Sequence, residues 1–72
     1  MVELRFFAAA RDAVGASVLS APAGTLQSVL SAFDSPVIAR CSFLINGVAT
    51  TDPSASVNDG DRVDVLPPFA GG

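Results

Sequence analysis

Only one stretch of this 72-residue chain carries a run of apolar residues at helical spacing, and it lies between segments that alternate. Leu26, Val29, Leu30 and Phe33 fall at i, i+3, i+4 and i+7, the apolar face of a helix, with Ser28 and Ser31 on the other side. Thr25 stands at the N-cap position. Asp34-Ser35-Pro36 stops the helix, because the residue before a proline avoids the α region. A single amphipathic helix must lay its apolar face on one face of one sheet.

The strands of that sheet are legible as period-2 patterns. Val2, Leu4, Phe6 and Ala8 alternate with Glu3, Arg5 and Phe7. Residues 9–14 suit a helical turn ended by Gly15, and 16–20 a second strand that returns as a hairpin. Pro22-Ala23-Gly24 breaks the chain before the helix, and 37–41 adds a helical turn or loop after it. Residues 42–45 form a third strand. Asn46-Gly47 is a two-residue hairpin turn, both positions favouring φ > 0, and 48–51 is the returning strand. Residues 52–60 read as a loop anchored by Val57. The last strand is 62–66, with Val63 and Val65 inward, and Pro67-Pro68 ends its pairing because proline brings no N–H to the ladder.

The order is β-β-α-β-β-β. The first and last strands are the most apolar, which places them side by side in the middle of the sheet. The predicted fold is α+β, a ubiquitin-like β-grasp with a mixed sheet of four to five strands packed on one main helix. Residues 1–66 make the β-grasp domain and 67–72 an extended C-terminal tail.

Composition narrows the function. A chain this short is one domain. It has no His, Lys or Tyr, and Cys41 is its single cysteine. No disulfide and no zinc site with the usual ligands can be built, and the repertoire for acid–base or nucleophilic chemistry is thin. An independent enzyme is disfavoured, and no metal or bound cofactor is expected. A net charge of −3 with four scattered arginines gives no basic stripe for nucleic acid and suits a basic protein partner better. No apolar run approaches the roughly 20 residues of a membrane span. The start lacks a basic n-region, so the expected compartment is the cytoplasm.

The remaining candidate for chemistry is the tail, Pro67-Pro68-Phe69-Ala70-Gly71-Gly72. Its prolines favour polyproline II, and six residues reach roughly 20 Å from the fold. Gly71 and Gly72 have no side chains, so a narrow tunnel in a partner admits them. A stiff base with a thin tip suits delivery of a terminal carboxylate to another protein's active site. The bland alternative is a frayed terminus.

The end, residues 59–72, resembles the sulfur-carrier (MoaD/ThiS) family, and the start Leu4-Arg5-Phe6-Phe7-Ala8, with Arg11 and Gly15, resembles its molybdopterin-synthase branch. Pro67-Pro68 points to the same branch, and Phe69 departs from the smaller aliphatic residue more usual there. The resemblance implies that an E1-like adenylyltransferase activates the Gly72 carboxylate with ATP, that a sulfur donor converts it to a thiocarboxylate, and that the tail then enters the large subunit of molybdopterin synthase to donate sulfur for the molybdopterin dithiolene. It also implies catalytic groups on the large subunit and a heterotetramer with two copies of each chain. Alternatives are a carrier for thiamine or cysteine biosynthesis, a protein modifier joined through Gly72, and a plain interaction module. The absence of lysine disfavours a modifier that builds chains on itself.

Strand parity sets Phe7 and Leu66 off the core face. If their strands are neighbours, the two make an exposed apolar patch beside the tail, a partner site together with Phe69, unless a loop covers it. Arg11, near the same end of the first strand, either pairs with acidic partner groups or is simply solvated. Cys41 has no His or Lys to lower its pKa and reads as buried packing. Asp59 and Asp61 flank Gly60 as a register-setting turn, too few ligands for a calcium loop.

Overall fold

The alternating segments become a five-stranded sheet in the computed structural model, which describes residues 1–33 and 35–67. In chain order the elements are β1 (Val2–Phe6), α1 (Ala9–Val14), β2 (Val18–Ala21), β3 (Gly24–Thr25), α2 (Leu26–Leu30), α3 (Pro36–Ala39), β4 (Ser42–Ile45), β5 (Val48–Thr50), β6 (Ser56–Val57) and β7 (Arg62–Leu66). The main sheet runs β2-β1-β7-β4-β5. β1 and β7 lie parallel at its centre, in register from Glu3 opposite Arg62 to Phe6 opposite Val65. The outer pairings are antiparallel. This is the expected mixed α+β sheet, with the first and last strands adjacent.

Alternation decides which side of the sheet is covered. Leu4, Val63 and Val65 are 0% exposed on the helix side. Leu26, Val29 and Ile38 join them in one buried cluster with Val2, Phe6 and Val57. Phe33 sets its ring edge-to-face on Phe6, with centroids 5.1 Å apart and an interplanar angle of 65°.

The predicted helix ends early. Thr25 caps it as expected: its hydroxyl accepts from the Ser28 N–H, and the Ser28 hydroxyl accepts from the Thr25 N–H. Regular helix stops at Leu30, however, where the chain tightens into i→i−3 bonds from the Ser31 and Phe33 N–H groups. The Ser31 hydroxyl also donates to the Ser28 carbonyl at 2.7 Å, a local bond that competes with helix continuation. Phe33 still packs against the core from the turn. The further helical turn is α3, begun by Pro36 and capped by the Ser35 hydroxyl. The proposed stop at Asp34 lies outside the described residues.

Three boundaries differ from expectation. The second strand is β2, 18–21 rather than 16–20, because Ala21 is buried opposite Val2. The strand after the hairpin stops at Thr50. The loop at 52–60 contains β6, which pairs with β3 as a second, two-stranded sheet. Backbone N–H groups of Leu26 and Gln27 donate to Ala55 and Pro53, so this loop supports the start of α2, and Val57 is its buried anchor, as predicted.

The turns behave as their residues dictate. Asn46 (φ 50°) and Gly47 (φ 83°) make the β4–β5 hairpin. The Asn46 side chain also ties that hairpin to the start of β7, donating to Asp61 Oδ1 and accepting from the Arg62 N–H. The Asn46 amide on Oδ1, with the Asn58 N–H on Oδ2, holds the Asp61 carboxyl below its ordinary value. The Asp59–Asp61 segment is therefore the register-setting turn expected.

Ala8 is the strained position. It joins β1 to α1 at φ 49°, ψ −122°, a conformation that side-chain-bearing residues rarely adopt. Ala8→Gly is expected to raise the unfolding free energy by about 0.5–1 kcal/mol, strain relief exceeding the added chain entropy. A higher urea midpoint with an unchanged slope would register it; a lower midpoint would show that the backbone there is not so held.

Candidate functional site

The site begins where β1 and β7 end. The register Phe6 opposite Val65 is extended one residue by a bond from the Phe7 N–H to the Val65 carbonyl, at 3.2 Å. Phe7 thus comes level with Leu66. Phe7 is 41% exposed where Phe6 is 2%, and Leu66 is half-buried. Strand parity has put one phenylalanine into the core and its neighbour on the open face. β2 flanks β1 and β4 flanks β7, with Ser42 of β4 directly opposite Leu66.

α1 is built on the same residue. The Phe7 carbonyl accepts from the N–H groups of Ala10 and Arg11. Arg11 is exposed on this helix, one turn from Phe7, and makes no ion pair among the described residues. The structure thus brings Phe7, Leu66 and Arg11 to one end of the sheet, the end at which β7 reaches Pro67. Pro68, Phe69, Ala70, Gly71 and Gly72, the rest of the proposed tail and its reactive carboxyl, lie outside the described residues.

Sequence reading missed the breadth of the open face. Residues opposite one another in a sheet share a side, so Val18, Arg5, Asp64, Leu44 and Ala49 form one row across it. Val18 is 54% exposed and Leu44 half-buried. Arg5 pairs with Glu3 at 2.6 Å and Arg62 with Asp64 at 3.4 Å, two ion pairs in the middle of this face. The signal was present in the same alternation that exposed Phe7.

A further concavity lies elsewhere. A groove of about 710 Å³ on the helix side has Leu26, Leu30, Phe33, Ile38 and Phe43 among its lining, and Cys41 is the only titratable group among the described residues on its walls. Cys41 is buried, burial pushes its thiol up, and its Sγ–H donates to the Val37 carbonyl at 3.1 Å. A protonated, hydrogen-bonded thiol in an apolar wall is packing, not a poised nucleophile. Among the described residues, no helix is long and apolar enough to cross a membrane.

Comparison with known proteins agrees with this geometry. The ThiS family model matches residues 4–72. The chain belongs to the ThiS family, and so to the small ubiquitin-like sulfur carriers with a β-grasp fold. No curated protein matches it. Among solved structures, the HVO 2177 protein of Haloferax volcanii is 30% identical with a TM-score of 0.77, over 99% of this chain and 85% of that one. Subunit 1 of the molybdopterin-converting factor of Helicobacter pylori, in complex with subunit 2, is 24% identical with a TM-score of 0.72, over 99% and 97% of the two chains. The structure of the Amycolatopsis orientalis BexX/CysO complex holds a chain 21% identical with a TM-score of 0.77, over 100% of both. Two of these relatives were solved in complexes with protein partners.

Proposed function

We propose that this chain is the sulfur-donating small subunit of molybdopterin synthase. The observation that carries the reading is the pairing of exposed Phe7 with half-buried Leu66 at the end of β7, beside the point where the chain continues through Pro67-Pro68 to Gly71-Gly72. An apolar patch at the root of a terminal segment is a place for a partner to grip while the tip reaches into it. The Helicobacter pylori neighbour, a subunit 1 bound to a subunit 2, supports a partner of that kind.

In this reading an E1-like enzyme transfers AMP from ATP to the Gly72 carboxylate. Carboxylates are poor electrophiles, and the adenylate supplies a leaving group. A sulfur donor then replaces AMP, leaving a thiocarboxylate. The carrier docks on the large subunit through Phe7, Leu66 and Phe69, with Arg11 at the rim, and the tail carries sulfur to the pterin precursor. Two small and two large subunits make the working assembly, and the catalytic groups belong to the large subunit.

Incubation with the activating enzyme, ATP and a sulfur source is expected to raise the intact mass by the difference between sulfur and oxygen. Removal of Gly72 is expected to abolish that gain without moving the unfolding midpoint, since the truncation leaves the described fold whole. A mass gain that survives the truncation would place the sulfur elsewhere and sink the reading. A second reading is a carrier serving another sulfur pathway, since a chain of the BexX/CysO complex shares the fold with a TM-score of 0.77 against 0.72 for the Helicobacter pylori structure. Capture experiments with candidate large subunits separate the two: stable binding to the molybdopterin-synthase subunit supports the first reading alone.

A further inference from the structure

The two edges of the main sheet are not alike. Ladder bonds in an antiparallel pair alternate, so every second residue of an edge strand turns its N–H and C=O away from its neighbour. At β2 the phase is set by the bond from the Phe6 N–H to the Ser17 carbonyl, at 2.8 Å. In that register Ser17, Leu19 and Ala21 bond to β1, and Val18 and Ser20 point their backbone groups outward. At β5 the two-residue Asn46-Gly47 turn makes Ile45 and Val48 a bonded pair, so Ala49 alone faces outward within that strand. The chain then turns off, the Asp52 N–H donating to the Thr50 hydroxyl at 3.1 Å.

Exposed edges are usually blunted by charge, proline or a bulge. β2 carries none of these. Its residues are Val18, Leu19, Ser20 and Ala21, and Pro22 comes only after them. On neighbouring β1, Glu3 opposite Ser20 and Arg5 opposite Val18 are paired with each other. Val18 is 54% exposed, and Leu19 is half-buried against the core. The strand is also self-complementary. A second copy turned about a two-fold axis through Leu19 sets Val18 opposite Ser20 on either side of it. Those are the outward-facing residues, so each pair exchanges both of its N–H···O bonds. Leu19 meets its own copy on the helix side, in the closer, non-bonded type of pair.

We propose that β2 is a self-pairing edge, which joins the five-stranded sheets of two copies of this chain edge to edge. The two-fold pairing closes on itself. Pairing of β2 with β5 would instead repeat as an open filament, and the single outward residue of β5 disfavours it. The contact is short, below the size of a standard interface, so the dissociation constant expected is about 0.1–1 mM. Phe7 and Leu66 lie further in, at the ends of β1 and β7, and an edge contact leaves that patch open on both copies.

The test needs the purified chain alone, so it stands apart from the sulfur-carrier reading. Sedimentation equilibrium is expected to show a monomer–dimer equilibrium, and amide exchange followed by NMR to locate it. The Val18 and Ser20 amides should slow as concentration rises, with Ala49, on the other edge, unchanged. At about ten times the dissociation constant roughly one fifth of the chain is monomeric by mass action, so the slowing expected is about fivefold. Ser20→Pro removes an outward N–H from each copy and keeps the bonds to β1, and it is expected to abolish the concentration dependence. Val18→Lys alters no backbone group and is expected to do the same, which covers the case of a proline that unfolds the strand. Val18 and Ser20 amides exchanging at one rate over the whole range, in a chain that stays monomeric, would overturn the proposal. So would slowing at Ala49 in their place, or a dimer that survives both variants. Protection of the Val18 and Ser20 amides only after another protein is added would give the edge to a foreign strand and overturn it too.

Discussion

Leu4→Ala is expected to remove about 3–5 kcal/mol of stability, a large share of what a domain of this size possesses. Leu4 lies on β1, opposite Leu19 on one side and Val63 on the other, and is 0% exposed. Its side chain fills the middle of the one buried apolar cluster among the described residues. No second layer stands ready to collapse into the space, because the other side of the sheet carries Glu3, Arg5, Arg62 and Asp64. A chain of 72 residues holds a total of roughly 4–11 kcal/mol, so at the low end of that range the variant is unfolded and at the high end it keeps about half of its stability. Urea titration followed by circular dichroism measures this directly. A loss below about 1 kcal/mol would mean that the centre of the sheet is not packed as described.

Phe7→Asp is expected to act on the other side of the same strand, with the opposite consequence. The fold should survive, because the bond from Phe7 to Val65 is made by the backbone and the side chain is 41% exposed. Stability should change by less than about 1 kcal/mol. On the proposed function, binding to the molybdopterin-synthase large subunit should weaken at least about 30-fold, the loss of a central aromatic anchor plus the cost of desolvating a carboxylate against an apolar surface. Calorimetric titration with the purified large subunit separates the two effects. A variant that unfolds alone would make Phe7 a core residue, and unchanged affinity would remove the Phe7–Leu66 face from the interface.

The contrast between Leu4 and Phe7 also marks what was legible from sequence. Period-2 alternation assigns a side to every residue of β1 and β7, so the core and the exposed patch were read from one pattern. Asn46-Gly47 declared its turn because few other pairs tolerate φ > 0 twice. The pairing of Gly24–Thr25 with Ser56–Val57 was not legible: two-residue strands show no alternation, and only Val57, apolar in a polar stretch, hinted at it. The early end of α2 was hidden as well. Helical spacing records which residues face the core, and Phe33 does so from a turn as well as from a helix. For the site, parity placed Phe7 and Leu66 together, whereas the identity of the partner is written on another molecule's surface.

Placing β1 and β7 side by side has a temporal consequence. A ribosome releases Val2–Phe6 long before Arg62–Leu66, yet the central ladder needs both. Until the later strand emerges, β1 lacks its main neighbour and Leu4 and Phe6 have nothing to pack beside but the β2 hairpin. Closure across nearly the whole chain is slow and all-or-none compared with local hairpin formation. A translation product that stops short of residue 62 would therefore be left open and vulnerable to proteolysis.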